Sequence, residues 1–333
     1  MQKIVFFELE PWEENYVKSS ISDHEIIFTQ EKLTNETALK YSDAQIMSVF
    51  IYSEITKDLI DKLPNLKFIA TRSMGFDHID VGYCRQKGIT VAYVPTYGAH
   101  TVAEHTFALL LAISRKIIPS SERAKKGEFG NEELDGFDLF GKTIGVMGTG
   151  NIGRNVCEIA LSFGMKVLAF SHSQDPELTA KGVRYVDLND LLVSCDVISL
   201  HLPHNKETEH IINMQNIGNI KKGAVLINTA RGALIETQAI VEGLERGILS
   251  AAGLDVLEEE CDLREERELL TTEFLKKCDL KTQLLNHVLL TRGDVLITPH
   301  NAFNSKEALQ EILEVTVANI KSYIENTPRN LVS

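Results

Sequence analysis

Lys142-Thr-Ile-Gly-Val-Met-Gly148-Thr-Gly150-Asn-Ile-Gly153-Arg154 decides the fold of this 333-residue chain. Ile144 to Met147 is a short apolar run with strand character. Three glycines follow at G-x-G-x-x-G spacing, and Ile152 to Phe163 has helical periodicity that Gly164 ends. Each residue type answers a physical demand. Gly148 makes the tight turn, Gly150 lets backbone approach a pyrophosphate, and Gly153 lets the helix pack on the strand. The negative phosphates would then rest on the unpaired N–H groups of the helix N-terminus. Glycine-rich turns are common, so the motif alone is weak. The strand before it and the helix after it supply the context that makes it a dinucleotide site.

Alternation extends outward from this motif in both directions. Upstream, residues 4–7, 25–28, 45–49, 68–70 and 90–93 read as strands, with helical spacers such as 54–62. Downstream, strands are expected at 144–147, 166–170, 183–186, 196–200, 224–228, 251–255 and 295–298. Such alternation predicts parallel sheets in an α/β fold. The apolar segment 101–113 reads as a buried helix, with Glu104 buried and paired inside it. The polar, glycine-punctuated stretch 125–136 reads as an exposed arm or linker. The last amphipathic helix, 306–325, has no strand left to cover in the second domain and is expected to return to the first. A discontinuous smaller domain results, with a ligand expected in the cleft between domains. The charged stretch 258–292 reads as a surface insertion, helical around 264–277.

Composition narrows the function. An excess of 47 acidic over 34 basic residues gives a net charge of −13 and a pI near 5.3. That argues against nucleic acid or an anionic membrane as partner. No apolar run approaches a membrane span, and the N-terminus meets an acid, Glu8, too soon for a signal peptide and reads as a first strand instead. Five scattered cysteines suit reduced thiols, hence a cytoplasmic location.

Three ionisable residues follow expected strands of the second half. Arg231 lies in Asn228-Thr-Ala-Arg-Gly232, Glu260 five residues after Asp255, and His300 in Thr298-Pro-His. The C-terminal ends of parallel strands are where open α/β sheets bind ligands. An arginine grips a carboxylate with paired charge-assisted bonds. A histidine can hand a proton to a carbonyl oxygen, and a neighbouring carboxylate would orient it and keep it protonated. Together they suit reduction of a 2-keto acid. Taken singly, each has a structural reading: a surface ion pair, an acidic loop, a strand-end cap. His201 with His204, and His100 with His105, have the look of metal ligands, but a core or cofactor-side role is favoured and no metal is expected. Cys261 and Cys278 lack the paired spacing of a structural zinc site.

Eight motifs in order make the chain resemble the D-isomer-specific 2-hydroxyacid dehydrogenases over nearly its whole length. They are Ser73-Met-Gly-Phe-Asp-His-Ile-Asp80, Val94-Pro-Thr-Tyr-Gly98, Thr101-Val-Ala-Glu-His-Thr106, Gly141 to Gly153, His201-Leu-Pro203, Asn228-Thr-Ala-Arg-Gly232, Gly253-Leu-Asp-Val256 and Thr298-Pro-His-Asn-Ala-Phe303. Among the branches, Tyr97 and the Pro-His-x-Ala-Phe ending are most similar to D-lactate dehydrogenases. The resemblance implies an NAD(P)-dependent oxidoreductase of two doubly wound parallel-sheet domains. A flavodoxin-like catalytic domain would span 1–100 and 301–333, and a Rossmann nucleotide-binding domain 101–300. Arg231 would bind the keto acid, and Glu260 would hold His300, the general acid/base. Backbone N–H groups of Met74 and Gly75 would cradle the substrate carboxylate, with Tyr97 and Phe303 walling the pocket. Asp255 would receive the nicotinamide carboxamide, with Thr229 and Ala230 beside it. Asn151 and Ile152 would cover the pyrophosphate, and Leu202, Pro203 and Thr208 would line the adenosine and ribose side. A homodimer is implied, with an arm near 117–140.

Two positions depart from the family's pattern. Cys261 stands where proline commonly follows the catalytic glutamate. Ser171-His172-Ser173 stands where a carboxylate would bind the ribose and repel a 2′-phosphate. NADH bound through serine contacts and dual or NADPH-leaning use both stay open. Pyruvate/D-lactate is the leading pair. A hydroxypyruvate/glyoxylate or branched 2-keto acid reductase is the alternative enzyme, and a dinucleotide-sensing, corepressor-like protein is the alternative of another class.

Overall fold

The computed structural model describes residues 2–21, 24–259 and 279–332. The chain divides into two units, Met1–Gly98 with Ser305–Ser333, and Ala99–Asn304.

The first unit runs β1 (Lys3–Phe6), α1 (Pro11–Ser20), β2 (Glu25–Phe28), α2 (Thr37–Lys40), β3 (Ile46–Val49), α3 (Lys57–Ile60), β4 (Phe68–Thr71), α4 (Val81–Gln86) and β5 (Thr90–Ala92). All five strands are parallel, in the order β2-β1-β3-β4-β5. That is the flavodoxin-like doubly wound order. Alternate residues of β1 serve opposite faces, as the two-residue period of a strand requires. Ile4 and Phe6 join Val17, Phe68 and Leu313 in one core, while Val5 joins Met47, Leu59 and Ile69 in the other. Burial on both faces explains why these strands are continuous apolar runs.

The second unit runs α5 (Ala99–Ser114), α6 (Ile117–Lys125), β6 (Thr143–Met147), α7 (Asn151–Ser162), β7 (Lys166–Phe170), α8 (Pro176–Ala180), β8 (Arg184–Tyr185), α9 (Leu188–Ser194), β9 (Val197–Leu200), β10 (Ala224–Asn228), α10 (Thr237–Glu245), β11 (Leu249–Leu254), α11 (Leu280–Thr291) and β12 (Val295–Ile297). Its seven parallel strands lie in the order β12-β11-β10-β9-β6-β7-β8. The strand order reverses between β9 and β6, the switch point where a Rossmann sheet opens a crevice for a dinucleotide.

The chain then returns to the first unit as α12 (Lys306–Ile324), capped by the Ser305 hydroxyl. Leu313, Val317 and Ile320 of α12 enter the core with Phe6 and Phe68, and Tyr323 stacks on Phe68. The terminal segment pairs antiparallel with β5 through Ala92 and Leu331, covering an edge that would otherwise be open.

Two expectations are corrected. Glu104 is exposed, because the buried face of α5 is carried by Val102, Ala103, Thr106, Phe107 and Leu110 instead. The stretch 258–292 is not wholly a surface insertion. Residues Leu280–Thr291 form α11, whose Gln283, Asn286 and Leu289 are buried. Gln283 and Asn286 donate their amides to the carbonyls of Glu259 and Glu258. The helix expected around 264–277 lies outside the described residues.

Candidate active site

The dinucleotide turn has the geometry its sequence demands. Gly148 has φ +94° and donates its N–H to the Phe170 carbonyl at 2.7 Å. A β-carbon there would meet the His201 carbonyl oxygen at 2.7 Å. At Gly150 a β-carbon would meet nothing within 4 Å, so the backbone is open to a ligand. At Gly153 it would lie 1.8 Å from the Gly148 carbonyl oxygen, so helix and turn pack backbone to backbone. No side chain caps the first turn of α7, leaving an N-terminus suited to an anion. These residues fit a dinucleotide: one glycine bends, one leaves room and one permits contact.

The side expected to face adenosine holds more polar groups than the sequence revealed. The Thr149 N–H points at the Ser171 hydroxyl at 3.4 Å, and His172 and Ser173 are exposed. Tyr185 donates its hydroxyl to Thr149 Oγ1 at 3.1 Å and accepts the Asp175 N–H at 2.9 Å. Arg154, one residue past the motif, pairs with Asp175 at 2.5 Å and with Glu177. The Asp-Pro start of α8 was a readable cap signal, but nothing local ties Asp175 to Arg154. On the other side of the crevice, Leu202 is half-buried and Pro203 exposed; Thr208 Oγ1 donates to the Pro203 carbonyl at 2.6 Å. The His201 N–H reaches back to the Met147 carbonyl at 2.7 Å. Its Nε2 lies 2.7 Å from Ser199 Oγ, and burial pushes its imidazole down to about 3. His204 is exposed, and among the described residues no cluster of His, Cys, Asp or Glu is arranged to hold a metal.

Arg231, Asp255 and His300 follow three adjacent strands, β10, β11 and β12. Backbone bonds continue past the strand ends: the Asp255 N–H donates to Asn228 and the His300 N–H to Asp255, both at 2.9 Å. Asn228, buried at the end of β10, shapes the arginine turn from both sides. Its Oδ1 accepts from Ala230 N–H at 3.0 Å and its Nδ2 donates to the Arg231 carbonyl at 2.9 Å. Thr229 is buried against Thr106, its hydroxyl 3.0 Å away. Gly232 lies against the 257–258 backbone, where a β-carbon would fall 1.9 Å from the Leu257 carbonyl oxygen.

Asp255 is the hub of the histidine turn. Its side chain is 0% exposed. It accepts from Thr298 Oγ1 at 2.6 Å, Asn301 N–H at 3.0 Å and Ala302 N–H at 2.9 Å. Burial pushes its carboxyl up, but donors from His105, Thr298, Ala302 and Asn301 outweigh that and hold it below the ordinary carboxylate range. The turn thus wrapped around Asp255 carries His300 at φ +50°. A left-handed backbone costs a residue with a β-carbon about 1–3 kcal/mol, so the surroundings must impose it. The carboxylate is therefore engaged within its own unit, an arrangement that the resemblance to carboxamide-binding residues did not convey.

Glu260 lies outside the described residues. Its neighbour Glu258 is held by His210 Nε2 at 2.5 Å and by the Thr237 N–H and hydroxyl at 2.9 and 2.7 Å. Phe303 is half-buried in the same unit. Met74, Gly75 and Tyr97 belong to the first unit. The 73–75 loop there is shaped by Ser73, whose hydroxyl donates to the Gly75 carbonyl at 2.6 Å and contacts Thr71 Oγ1 at 2.6 Å. Arg72, which sequence reasoning passed over, is 2% exposed and donates to the Phe7 and Glu8 carbonyls at 2.8 and 2.7 Å. A lone arginine beside the motif gave no sign of that burial.

Known proteins share the sequence and fold of this chain. The family model described as the NAD-binding domain of D-isomer-specific 2-hydroxyacid dehydrogenases matches residues 107–302. The D-lactate dehydrogenase of Aquifex aeolicus, solved with NAD and lactic acid, is 36% identical with a TM-score of 0.85, covering 97% of this chain and 96% of that one. The D-lactate dehydrogenase of Escherichia coli is 32% identical over 99% of this chain and all of its own. The hydroxypyruvate reductase of Thermotoga maritima is 35% identical over 91% of this chain and 92% of its own.

Proposed function

The chain belongs to the D-isomer-specific 2-hydroxyacid dehydrogenase family, and from that premise we propose that its reaction is the reversible reduction of pyruvate to D-lactate. It is an NAD-binding oxidoreductase that acts on the CH–OH group of its donor. Bound NADH supplies the hydride. Arg231 grips the keto acid's carboxylate through paired N–H donors and draws charge onto the carbonyl oxygen. His300 gives its proton to that oxygen as the carbon is reduced, and takes it back in the oxidation. Met74, Gly75, Tyr97 and Phe303 are the proposed substrate contacts, and Glu260 the proposed partner of His300. The observation that carries this reading is the Asp255-bound turn that fixes His300 one strand beyond Asp255 and two beyond Arg231.

The choice of pyruvate rests on likeness to two D-lactate dehydrogenases across nearly the whole chain. The hydroxypyruvate reductase of comparable identity makes hydroxypyruvate and glyoxylate the leading alternatives. Use of NADPH beside NADH is favoured by Ser171, which puts a hydroxyl at the position where a carboxylate would repel a 2′-phosphate. A homodimer through the arm near 117–140 is favoured by the exposed Ile117, Ile118, Phe129 and Phe140. Cytoplasmic residence suits Cys84, Cys157 and Cys195, all buried free thiols. Among the described residues no helix is long and apolar enough to cross a membrane.

Initial rates with pyruvate, hydroxypyruvate, glyoxylate and 2-ketoisocaproate, each against NADH and NADPH, test the proposal. Pyruvate is expected to give the highest kcat/KM. A faster rival substrate would reassign the specificity. Tight dinucleotide binding without turnover of any keto acid would instead favour a sensor of the corepressor kind.

A further inference from the structure

His105, on the helix α5, lies 3.1 Å by its Nε2 from the hydroxyl of Thr298 and 3.5 Å from Asp255 Oδ1. The hydrogen-bond polarity follows from simple counting. Thr298 has one proton and stands 2.6 Å from Asp255 Oδ1, an oxygen that only accepts when ionised. The hydroxyl proton therefore goes to the carboxylate, and towards His105 the threonine oxygen can only accept. Nε2 of His105 must carry hydrogen. A directed chain results, from His105 through Thr298 to Asp255.

The same carboxylate receives Asn301 and Ala302, and the Asp255 carbonyl receives His300. These bonds curl the 298–302 turn around the left-handed His300, whose N–H also lies 2.9 Å from the Thr298 carbonyl. Without a donor from α5, the Thr298 hydroxyl would be free to rotate and its hold on Asp255 would weaken. An apolar side chain would fill the same space on α5 but could not direct that proton.

We propose that His105 is a positioning residue: its Nε2–H, relayed through Thr298 to Asp255, fixes the turn that aims His300 at the substrate carbonyl. The proposal rests on His300 being the general acid. It makes His105 remote from the chemistry, so the effect belongs in kcat rather than in coenzyme binding. A misplacement of about 1 Å can cost a reaction on the order of a hundredfold.

The test compares His105→Leu, His105→Gln, Thr298→Val and His300→Ala, using the fastest keto acid with NADH. Coenzyme affinity is read separately by NADH fluorescence. His105→Leu is expected to lower kcat by on the order of ten- to a hundredfold, with the NADH Kd changed less than twofold. His105→Gln, whose amide nitrogen takes the place of Nε2 and still donates, is expected to recover most of the loss. Wild-type kcat in His105→Leu, equal losses in the leucine and glutamine variants, or a parallel rise in the NADH Kd would overturn the proposal. Should His105→Leu fail to fold, Thr298→Val breaks the same chain one bond later, and wild-type kcat there would overturn it equally. The two layers separate cleanly. An inactive His300→Ala beside a fully active His105→Leu removes only the positioning role, whereas an active His300→Ala removes the general-acid reading and this proposal with it.

Discussion

Gly153 packs against Gly148 so closely that a β-carbon on Gly153 would lie 1.8 Å from the Gly148 carbonyl oxygen. The neighbour is backbone at the start of the dinucleotide turn, and it cannot swing aside as a side chain would. Gly153→Ala is therefore expected to push α7 off β6 and to open the turn. A loss of NADH affinity of at least tenfold, with a lower Tm, is the expected outcome. Unchanged affinity by fluorescence titration would mean that the turn does not hold the dinucleotide.

Asp255→Asn tests the hub of the histidine turn. An amide keeps the shape, but it sets one N–H group where the carboxylate now accepts from Thr298, Asn301 or Ala302. Loss of charge-assisted bonds to a fully buried group should cost about 2–4 kcal/mol in chemical denaturation. The sign of the pH effect is fixed by a carboxyl held below its ordinary range. Its contribution is present above pH about 4 and is lost as pH falls through the folded-state value. The difference between wild type and variant should shrink at low pH. A constant difference would contradict the ionised hub.

His201 predicts a second acid-sensitive window. In the folded chain burial holds its imidazole down to about 3, whereas the unfolded chain protonates it near about 6.5. Between those values the unfolded state binds the extra proton, so stability falls as pH drops from about 6.5 towards 3. His201→Gln keeps a polar side chain beside Ser199 and removes the titration. The variant should lose less stability than wild type over that window, by an amount on the order of a few kcal/mol. Identical acid profiles would mean that His201 is hydrated in the folded protein.

The proposed use of NADPH is tested at Ser171, just past β7, whose hydroxyl lies 3.4 Å from the Thr149 N–H. Ser171→Asp restores a carboxylate that binds ribose hydroxyls and repels a 2′-phosphate. The NADH-to-NADPH ratio of kcat/KM is expected to rise at least tenfold. A wild-type enzyme that already favours NADH more than tenfold would remove the case for NADPH.

Much of this was legible because parallel strands buried on both faces are written as short apolar runs. The runs at 25–28, 166–170 and 224–228 agree with β2, β7 and β10 residue for residue. The glycine spacing placed the turn and its helix together. Helix faces were harder. Thirteen mostly apolar residues suggested that Glu104 was buried, yet a helix needs only one face inside, and Glu104 lies on the other. Charge in 258–292 hid α11, whose buried Gln283 and Asn286 serve the backbone of 258–259 rather than solvent. Long-range polar partners were not legible at all. His105 and Thr298 are 193 residues apart, and Arg154 meets Asp175 across a strand and a turn. Nothing in local periodicity encodes such pairs.

The most direct test of the account is the turnover of His300→Ala with pyruvate and NADH, measured beside its NADH affinity. Removing a proton donor in the transition state should lower kcat by about 10²–10⁴-fold while the NADH Kd stays within twofold of wild type. Near-normal kcat in a variant that binds NADH normally would show that His300 does not carry the proton.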